Sequence, residues 1–185
     1  MLTQFISLLD QHHIRAAIFD LDGTILDNNI YHLKSWLKYL ESKKINITEE
    51  EFGKNISGRT NKDAVEYIFK RKMTDEEAMR YTLEKEAVYR EMYAPLIQPV
   101  AGLMDLLEFF SKQKIRMAIA TSGIQPNIDF MFEYLAIEKY FDEVVNSAHI
   151  KTGKPDPEIY LTTARRLGLH PSQCIVFEDS FPGIT

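Results

Sequence analysis

Residues 16–24 decide the fold: Ala16-Ala17-Ile18-Phe19-Asp20-Leu21-Asp22-Gly23-Thr24. The first four are apolar or small and do not alternate with polar residues, which predicts a short buried strand rather than a helix. Asp20 and Asp22 stand at and just beyond the end of that strand. Open α/β sheets bind their ligands at the carboxyl ends of strands, so both carboxylates are candidates for chemistry. The alternative is that Asp22 and Gly23 form only a turn, as in half of a β-hairpin.

The composition is that of an ordinary globular protein and excludes several functional classes. Of 185 residues, 45% are hydrophobic and 26% are charged, and the formal net charge is −5. The acidic balance argues against a nucleic-acid surface, and no apolar run approaches the ~20 residues of a membrane span. The single Cys174 allows no internal disulfide, and residues 1–13 are too polar for a signal peptide. We therefore expect a cytoplasmic protein with no nucleic-acid or membrane partner, either monomeric or weakly dimeric.

Residues 28–93 predict an all-helical block. Two capping boxes open helices, Thr48 with Glu51 and Thr74 with Glu77. Apolar residues at helical spacing predict helices at 29–43, from 48, at 63–72 and at 74–92. No strand signal appears in this block, which indicates a helical insertion in the chain.

The rest of the chain alternates between helices and strands. The pattern predicts helices at 2–9, 103–112, 125–135 and 158–167, and strands at 15–19, 115–120, 143–147 and 173–177. This alternation is typical of parallel βαβ units. The expected fold class is α/β, a Rossmann-like parallel sheet flanked by helices. The predicted domains are a core of residues 1–27 and 94–185 and an inserted helical cap of residues 28–93.

Polar or reactive residues follow all four predicted strands, whose carboxyl ends meet at one edge of a parallel sheet. They are Asp20, Asp22, Thr121, Ser122, Gly123, Lys154, Glu178 and Asp179. Each has a simpler structural explanation: Thr121 or Ser122 caps the next helix, Lys154 is a solvated loop lysine with Asp156 capping the helix that follows, Asp179 is another cap, and Glu178 is a surface acid. If all of these separate explanations were correct, the eight residues would share one edge of the sheet only by chance.

The set as a whole favours phosphoryl transfer. Clustered carboxylates raise one another's pKa unless a cation lies between them, and Mg²⁺ prefers such oxygen ligands together with substrate phosphate oxygens. A lysine, a hydroxyl and backbone amides at a helix start suit phosphate. A carboxylate beside the metal can attack phosphorus and form a covalent intermediate.

Four segments carry a resemblance to a known family. They are 18–24 (IFDLDGT), 120–123 (ATSG), 153–157 (GKPDP) and 177–180 (FEDS). In order and spacing they resemble the four motifs of the haloacid dehalogenase-like phosphatase superfamily. Residues 160–168, with Pro171, Cys174, Gly183 and Ile184, look like its β-phosphoglucomutase and phosphoglycolate phosphatase subgroup. The resemblance covers essentially the whole chain, and residues 28–93 look like the cap of that subgroup.

The resemblance implies a role for each motif residue. Asp20 would be the nucleophile and a Mg²⁺ ligand, and Asp22 the general acid and base, with its backbone carbonyl on Mg²⁺. Thr121 would hold the phosphoryl group, with the amides of Ser122 and Gly123 nearby. Lys154 would neutralise charge on the phosphate and the nucleophile. Asp179 would bind Mg²⁺, and Glu178 would support the metal site.

The cap residues match the subgroup only in part. His32 and Lys85 match a histidine and a lysine in the cap of β-phosphoglucomutases. Those enzymes carry an arginine three residues after a glycine that matches Gly58, where this chain has Asn61, and the only arginine nearby is Arg59. The resemblance therefore implies His32, Arg59 and Lys85 as substrate-binding residues, and the absent arginine weakens a mutase assignment.

The expected function is Mg²⁺-dependent hydrolysis of a small phosphorylated metabolite through an aspartyl-phosphate. The first alternative is a phosphosugar mutase, which returns the phosphoryl group to its substrate. The second is a fragment that binds phosphate or metal without turnover, because the superfamily core normally continues with another helix and strand after the fourth motif. On that comparison, the C-terminal end of the core is expected to be missing.

Overall fold

The computed structural model describes residues 2–56 and 59–184, with side chains from Gln4 onward. The chain forms two compact units, Met1–Asp27 with Gln98–Thr185, and Asn28–Ile97. The chain leaves the helical unit between residues 97 and 98, four residues after the predicted boundary at 93/94. The reason is local, because the long helix ending at Tyr93 runs directly into a 3₁₀ turn, Ala94–Leu96.

A parallel sheet forms the centre of the first unit. Its strands are β1 (Ala16–Phe19), β2 (Arg116–Ala120), β3 (Glu143–Val145) and β4 (Cys174–Phe177). They lie in the order β3-β2-β1-β4. Strand β1 pairs in parallel with both β2 and β4, which excludes the hairpin alternative for Asp22-Gly23. All four residues of β1 are buried because β1 has a strand on each side and is covered on both faces. The predicted α/β class with a parallel sheet is confirmed.

The α-helices of the described residues fall into both units. They are α1 (Leu2–Gln11), α2 (Asn29–Ser42), α3 (Glu49–Asn55), α4 (Asn61–Phe69), α5 (Asp75–Tyr93), α6 (Leu103–Lys112), α7 (Gln125–Leu135), α8 (Glu158–Arg166) and α9 (Phe181–Ile184). Helices α2–α5 belong to the second unit and the others to the first. No helix in 2–56 or 59–184 is long and apolar enough to cross a membrane.

Local side-chain contacts set the helix starts. The hydroxyls of Thr48 and Thr74 accept from the backbone N–H groups of Glu51 and Glu77 at 3.0 and 3.2 Å, as the capping boxes predict. Helix α4 begins two residues earlier than predicted, because Thr60 caps it by accepting from the N–H of Asp63. That cap was overlooked in the sequence.

The segments after β3 and β4 also differ from the sequence prediction. Strand β3 stops at Val145 instead of residue 147, because the Asn146 side chain accepts from the N–H of Ala148 at 3.0 Å and starts a 3₁₀ turn. Beyond β4 the sequence predicted no helix, but Phe181–Ile184 forms one short helical segment.

The second unit has a core of its own. Helices α2 and α5 supply most of the large buried side chains, including Trp36, Tyr39 and Tyr89, and α4 adds Val65 and Ile68. This core explains why the helical block can form a compact unit within an α/β chain.

An aromatic cluster anchors the strand that precedes Asp20. The Phe19 ring is 1% exposed and stacks on Phe177 of β4 at 4.8 Å between ring centroids, and it meets Phe110 edge-on at 6.2 Å. We expect Phe19→Ala to lower the free energy of unfolding by ~3–5 kcal/mol, because the truncation leaves a cavity in a packed core. Urea unfolding at constant m-value measures this loss. Leu8→Ala, at an exposed position of α1, is the control and should change stability by no more than ~0.5 kcal/mol. Equal effects at both sites would contradict the packing argument.

Candidate active site

Asp20 lies directly after β1, where the backbone still follows the sheet. Its N–H donates to the carbonyl of Phe177 at 2.9 Å, and the residue is 7% exposed. The sheet therefore fixes the position of this carboxylate.

The chain turns after Asp20, and this turn brings Asp22 towards the loop that follows β2. Gly23 has a φ of +81°, a left-handed conformation that favours glycine, and its N–H donates to the carbonyl of Leu26 at 2.7 Å. A Cβ added at Gly123, in the loop after β2, would lie 4.0 Å from Oδ2 of Asp22. The Asp22 carboxylate thus faces the loop that carries Thr121. Asp22-Gly23 does form a turn, but the turn places the carboxylate inside the predicted site.

Lys154 is inserted between two of the carboxylates. Its Nζ donates to Oδ1 of Asp20 at 2.7 Å and to Oε2 of Glu178 at 2.5 Å, and its side chain is 9% exposed. Burial alone would lower the pKa of Lys154, but the charge of Asp20 and the hydrogen bonds to both carboxylates raise it above the ordinary value. Lys154 is therefore a buried cation and not a solvated loop lysine.

Three carboxylates form a cluster that fits a metal ion. Asp20, Glu178 and Asp179 each offer an oxygen, and these oxygens lie within 4.8 Å of one another. Burial raises the pKa of Asp20 to about 7, with Lys154 opposing the shift and the charges of Glu178 and Asp22 adding to it. A divalent cation would favour the ionised form of such a carboxyl. An oxygen-only donor set of this kind suits Mg²⁺. Asp22 is not part of this carboxylate cluster.

Glu178 is held by contacts on both of its oxygens. Oε1 accepts from the N–H of Ser180 at 2.9 Å and from its hydroxyl, while Oε2 accepts from Lys154 and from the hydroxyl of Tyr160. Although burial acts in the other direction, these hydrogen bonds lower the pKa of Glu178. A Cβ at Gly183 would lie 2.2 Å from Cδ of Glu178, so only glycine permits this close approach of α9. Glu178 is thus a fixed anion that orients Lys154.

Two residues near Lys154 were missed in the sequence. Tyr160, in the first turn of α8, donates to Glu178, and its ring lies 5.4 Å from Nζ of Lys154. Glu158 accepts from the N–H groups of Lys151 and Thr152 at 3.0 and 2.7 Å and so shapes the loop that carries the lysine. In the sequence only their positions point to them. Glu158 lies four residues after Lys154 and Tyr160 six residues after it, both at the start of one predicted helix.

The segment after β2 carries Thr121, Ser122 and Gly123, the predicted phosphate-binding residues. Thr121 is 1% exposed, and its hydroxyl accepts from the N–H of Gly123 at 2.9 Å. Helix α7 has Ile124 at its N-cap position without a side-chain hydrogen bond, so neither Thr121 nor Ser122 caps it. The capping alternative is wrong for these two residues. Asp156 lies one residue before the N-cap position of α8, which is Pro157, and its Oδ1 accepts from the N–H of Glu158 at 2.9 Å.

Two of the three predicted cap residues contact each other within the second unit. Nζ of Lys85 lies 3.0 Å from Nδ1 of His32, and Lys85 is 2% exposed. Arg59 is exposed in the segment before α4, and no contact of it with His32 or Lys85 is found among the described residues. Asn61 is the first residue of α4, and Gly58 lies outside the described residues.

Known proteins resemble this chain along most of its length. A family model described as haloacid dehalogenase-like hydrolase matches residues 17–185. The fructose-1-phosphate phosphatase YqaB of Escherichia coli is 30% identical over 169 residues, which are 91% of this chain and 88% of that protein. The β-phosphoglucomutase of Bacillus subtilis is 28% identical over 179 residues, or 93% and 78% of the two chains. A crystal structure of a family IA, variant 3 hydrolase from Entamoeba histolytica superposes with a TM-score of 0.84 at 34% identity, covering 92% of this chain and 78% of its own.

Proposed function

The chain belongs to the haloacid dehalogenase-like hydrolase family, and from this premise we propose that it hydrolyses small phosphomonoesters with Mg²⁺. The observation that carries the proposal is the buried contact of Lys154 with Asp20, next to the Glu178 and Asp179 carboxylates and in the same unit as Thr121. Such a set can bind a phosphoryl group, neutralise its charge and supply a nucleophile. The relatives named as a phosphatase and a mutase act on phosphorylated sugars, which suggests the substrate class.

Asp20 is the proposed nucleophile. Its carboxylate attacks phosphorus, the ester P–O bond breaks, and an aspartyl-phosphate forms. Asp22 gives a proton to the leaving alkoxide, then takes a proton from the water that attacks the aspartyl-phosphate, which releases inorganic phosphate and restores Asp20. Lys154 and the hydroxyl of Thr121 bind the phosphoryl oxygens, with the amides of Ser122 and Gly123 beside them. Asp20, Asp179 and the backbone carbonyl of Asp22 would hold Mg²⁺, supported by Glu178, and the ion would supply further charge neutralisation.

Metal dependence tests this proposal. We expect phosphate release from p-nitrophenyl phosphate to stop in EDTA and to return when Mg²⁺ is added in excess. Ca²⁺ should inhibit, because its larger and looser coordination shell does not hold the in-line geometry. A malachite-green assay measures the phosphate. Full activity after exhaustive chelation would contradict the assignment of Asp20 and Asp179 as ligands, and the absence of any turnover with Mg²⁺ would favour a binding protein without catalysis.

A phosphosugar mutase is the second candidate, and the contact between His32 and Lys85 in the helical unit favours it. Asn61, at the place of the mutase arginine, favours the phosphatase. A phosphatase releases inorganic phosphate from hexose 6-phosphates without a bisphosphate activator. Conversion of β-glucose 1-phosphate to glucose 6-phosphate faster than phosphate release would select the mutase.

A further inference from the structure

We propose that Ser147, in the segment after β3, is a positioning residue for the Thr121 hydroxyl and that it acts through Gly123. Loss of the Ser147 hydroxyl would then weaken phosphate binding, although Ser147 itself is not one of the proposed phosphate ligands. This inference rests on the proposed function, since it takes the Thr121 hydroxyl to bind a phosphoryl oxygen. All three residues belong to the first unit.

Gly123 is held by hydrogen bonds at both of its backbone groups. Its N–H donates to Oγ1 of Thr121 at 2.9 Å, and its carbonyl accepts from the Ser147 hydroxyl at 3.2 Å. Glycine restricts its own backbone less than any other residue does, so these two contacts supply the restraint that a side chain would otherwise give. Ser147, Gly123 and Thr121 thus form one chain of hydrogen bonds, which ends on a side chain proposed to bind phosphate.

The contact with Gly123 orients the Thr121 hydroxyl. A hydroxyl oxygen has two lone pairs and one proton, so Oγ1 can accept from Gly123 and still donate its own proton to a phosphoryl oxygen. The backbone approaches closely here, because a Cβ added at Gly123 would lie 3.1 Å from Oγ1 of Thr121 and 4.0 Å from Oδ2 of Asp22. A shift of Gly123 would therefore change the direction in which the Thr121 hydroxyl donates.

The segment that carries Ser147 is itself fixed by Asn146. This residue is 2% exposed and closes a capping box on the 3₁₀ turn Ser147–His149. Its side-chain amide also donates to Oε1 of Gln125, the first residue of α7, at 2.8 Å. Asn146 therefore ties the segment after β3 to the helix that follows Gly123. Both ends of the hydrogen bond between Ser147 and Gly123 are restrained in this way.

Removal of the Ser147 hydroxyl tests this inference. We expect Ser147→Ala to bind inorganic phosphate, with Mg²⁺ present, roughly three- to tenfold more weakly than the wild type, which is the range for a single hydrogen bond. Ser147→Thr keeps the hydroxyl and should bind like the wild type. Calorimetry measures Kd, and thermal unfolding checks the fold. Ser42→Ala is the matched control, because it removes a hydroxyl that donates to the Tyr39 carbonyl in the helical unit, and it should leave Kd unchanged.

A double-mutant cycle separates positioning from a general loosening of the loop. Thr121→Val keeps the side-chain shape and removes the hydroxyl that Ser147 is proposed to orient. In that background Ser147→Ala should change the phosphate Kd little, because no hydroxyl is left to position. Weakening by the same factor in both backgrounds would show that Ser147 acts independently of Thr121 and would overturn the proposed role.

The remaining outcomes separate this inference from the proposed function. An unchanged Kd in Ser147→Ala, or equal weakening in Ser147→Ala and Ser42→Ala, would overturn the role of Ser147, and so would a wild type that binds no phosphate. Failure of the proposed function appears in a different measurement. The wild type would then release no phosphate from p-nitrophenyl phosphate, while its Kd for inorganic phosphate would still depend on Ser147.

Discussion

Asp20→Asn is expected to reduce the turnover of every phosphate ester by far more than tenfold, the largest effect of any substitution considered. The amide is nearly isosteric with the carboxylate but cannot attack phosphorus, so the covalent route is lost. The position is constrained by the sheet, with the Asp20 N–H on the Phe177 carbonyl, and a replacement amide would occupy the same place. Steady-state kinetics with p-nitrophenyl phosphate measures the loss, and circular dichroism checks the fold.

The contact with Lys154 makes a control necessary. Asp20→Asn leaves Nζ of Lys154 with Glu178 as its remaining carboxylate partner, which changes stability as well as chemistry. Asp10→Asn, on the exposed side of α1, removes the same charge at a distance from the site and should leave turnover unchanged. Turnover of Asp20→Asn within ~10-fold of the wild type would reject Asp20, because that factor represents only ~1.4 kcal/mol of barrier.

Asp22→Asn is expected to slow alkyl phosphates by ~10²–10⁴-fold, the usual contribution of general acid–base catalysis. An alkoxide leaving group needs a proton, whereas nitrophenolate needs little. The first step with p-nitrophenyl phosphate should therefore slow much less. In the proposed mechanism the same carboxyl activates the hydrolytic water, so aspartyl-phosphate should accumulate on Asp20. Rapid-quench kinetics gives the rate of the first step, and intact-protein mass spectrometry detects the phosphoenzyme.

The position of Asp22 in a turn supplies the competing explanation. If the residue only stabilised the turn around Gly23, its substitution would slow all esters equally and trap no phosphoenzyme. Asp27→Asn, an exposed carboxylate at the end of the same segment, is the matched control and should show no dependence on the leaving group.

The sequence by itself determined most of the helices and strands and the edge of the sheet at which the proposed site lies. An uninterrupted apolar run predicts β1, and Thr48 and Thr74 predict two helix starts, because strand burial and N-capping depend on neighbouring residues. Alternating elements predict a parallel sheet, and a parallel sheet brings Asp20, Thr121 and Glu178 to one edge. Those conclusions need only patterns within each segment and one topological rule.

Only the tertiary structure decided how the side chains are paired. Lys154 and Asp20 are separated by 134 residues, and nothing local indicates that their side chains meet at 2.7 Å. Helix α8 packs against β2 and β3, and Tyr160 on it reaches Glu178 beyond the end of β4. A tyrosine in a helix is otherwise indistinguishable from a core residue. Lys85 and Glu86 are neighbours on α5, and what the fold adds is their burial. Pairings of this kind depend on the packing of whole elements, so they become visible only when the elements are placed in three dimensions.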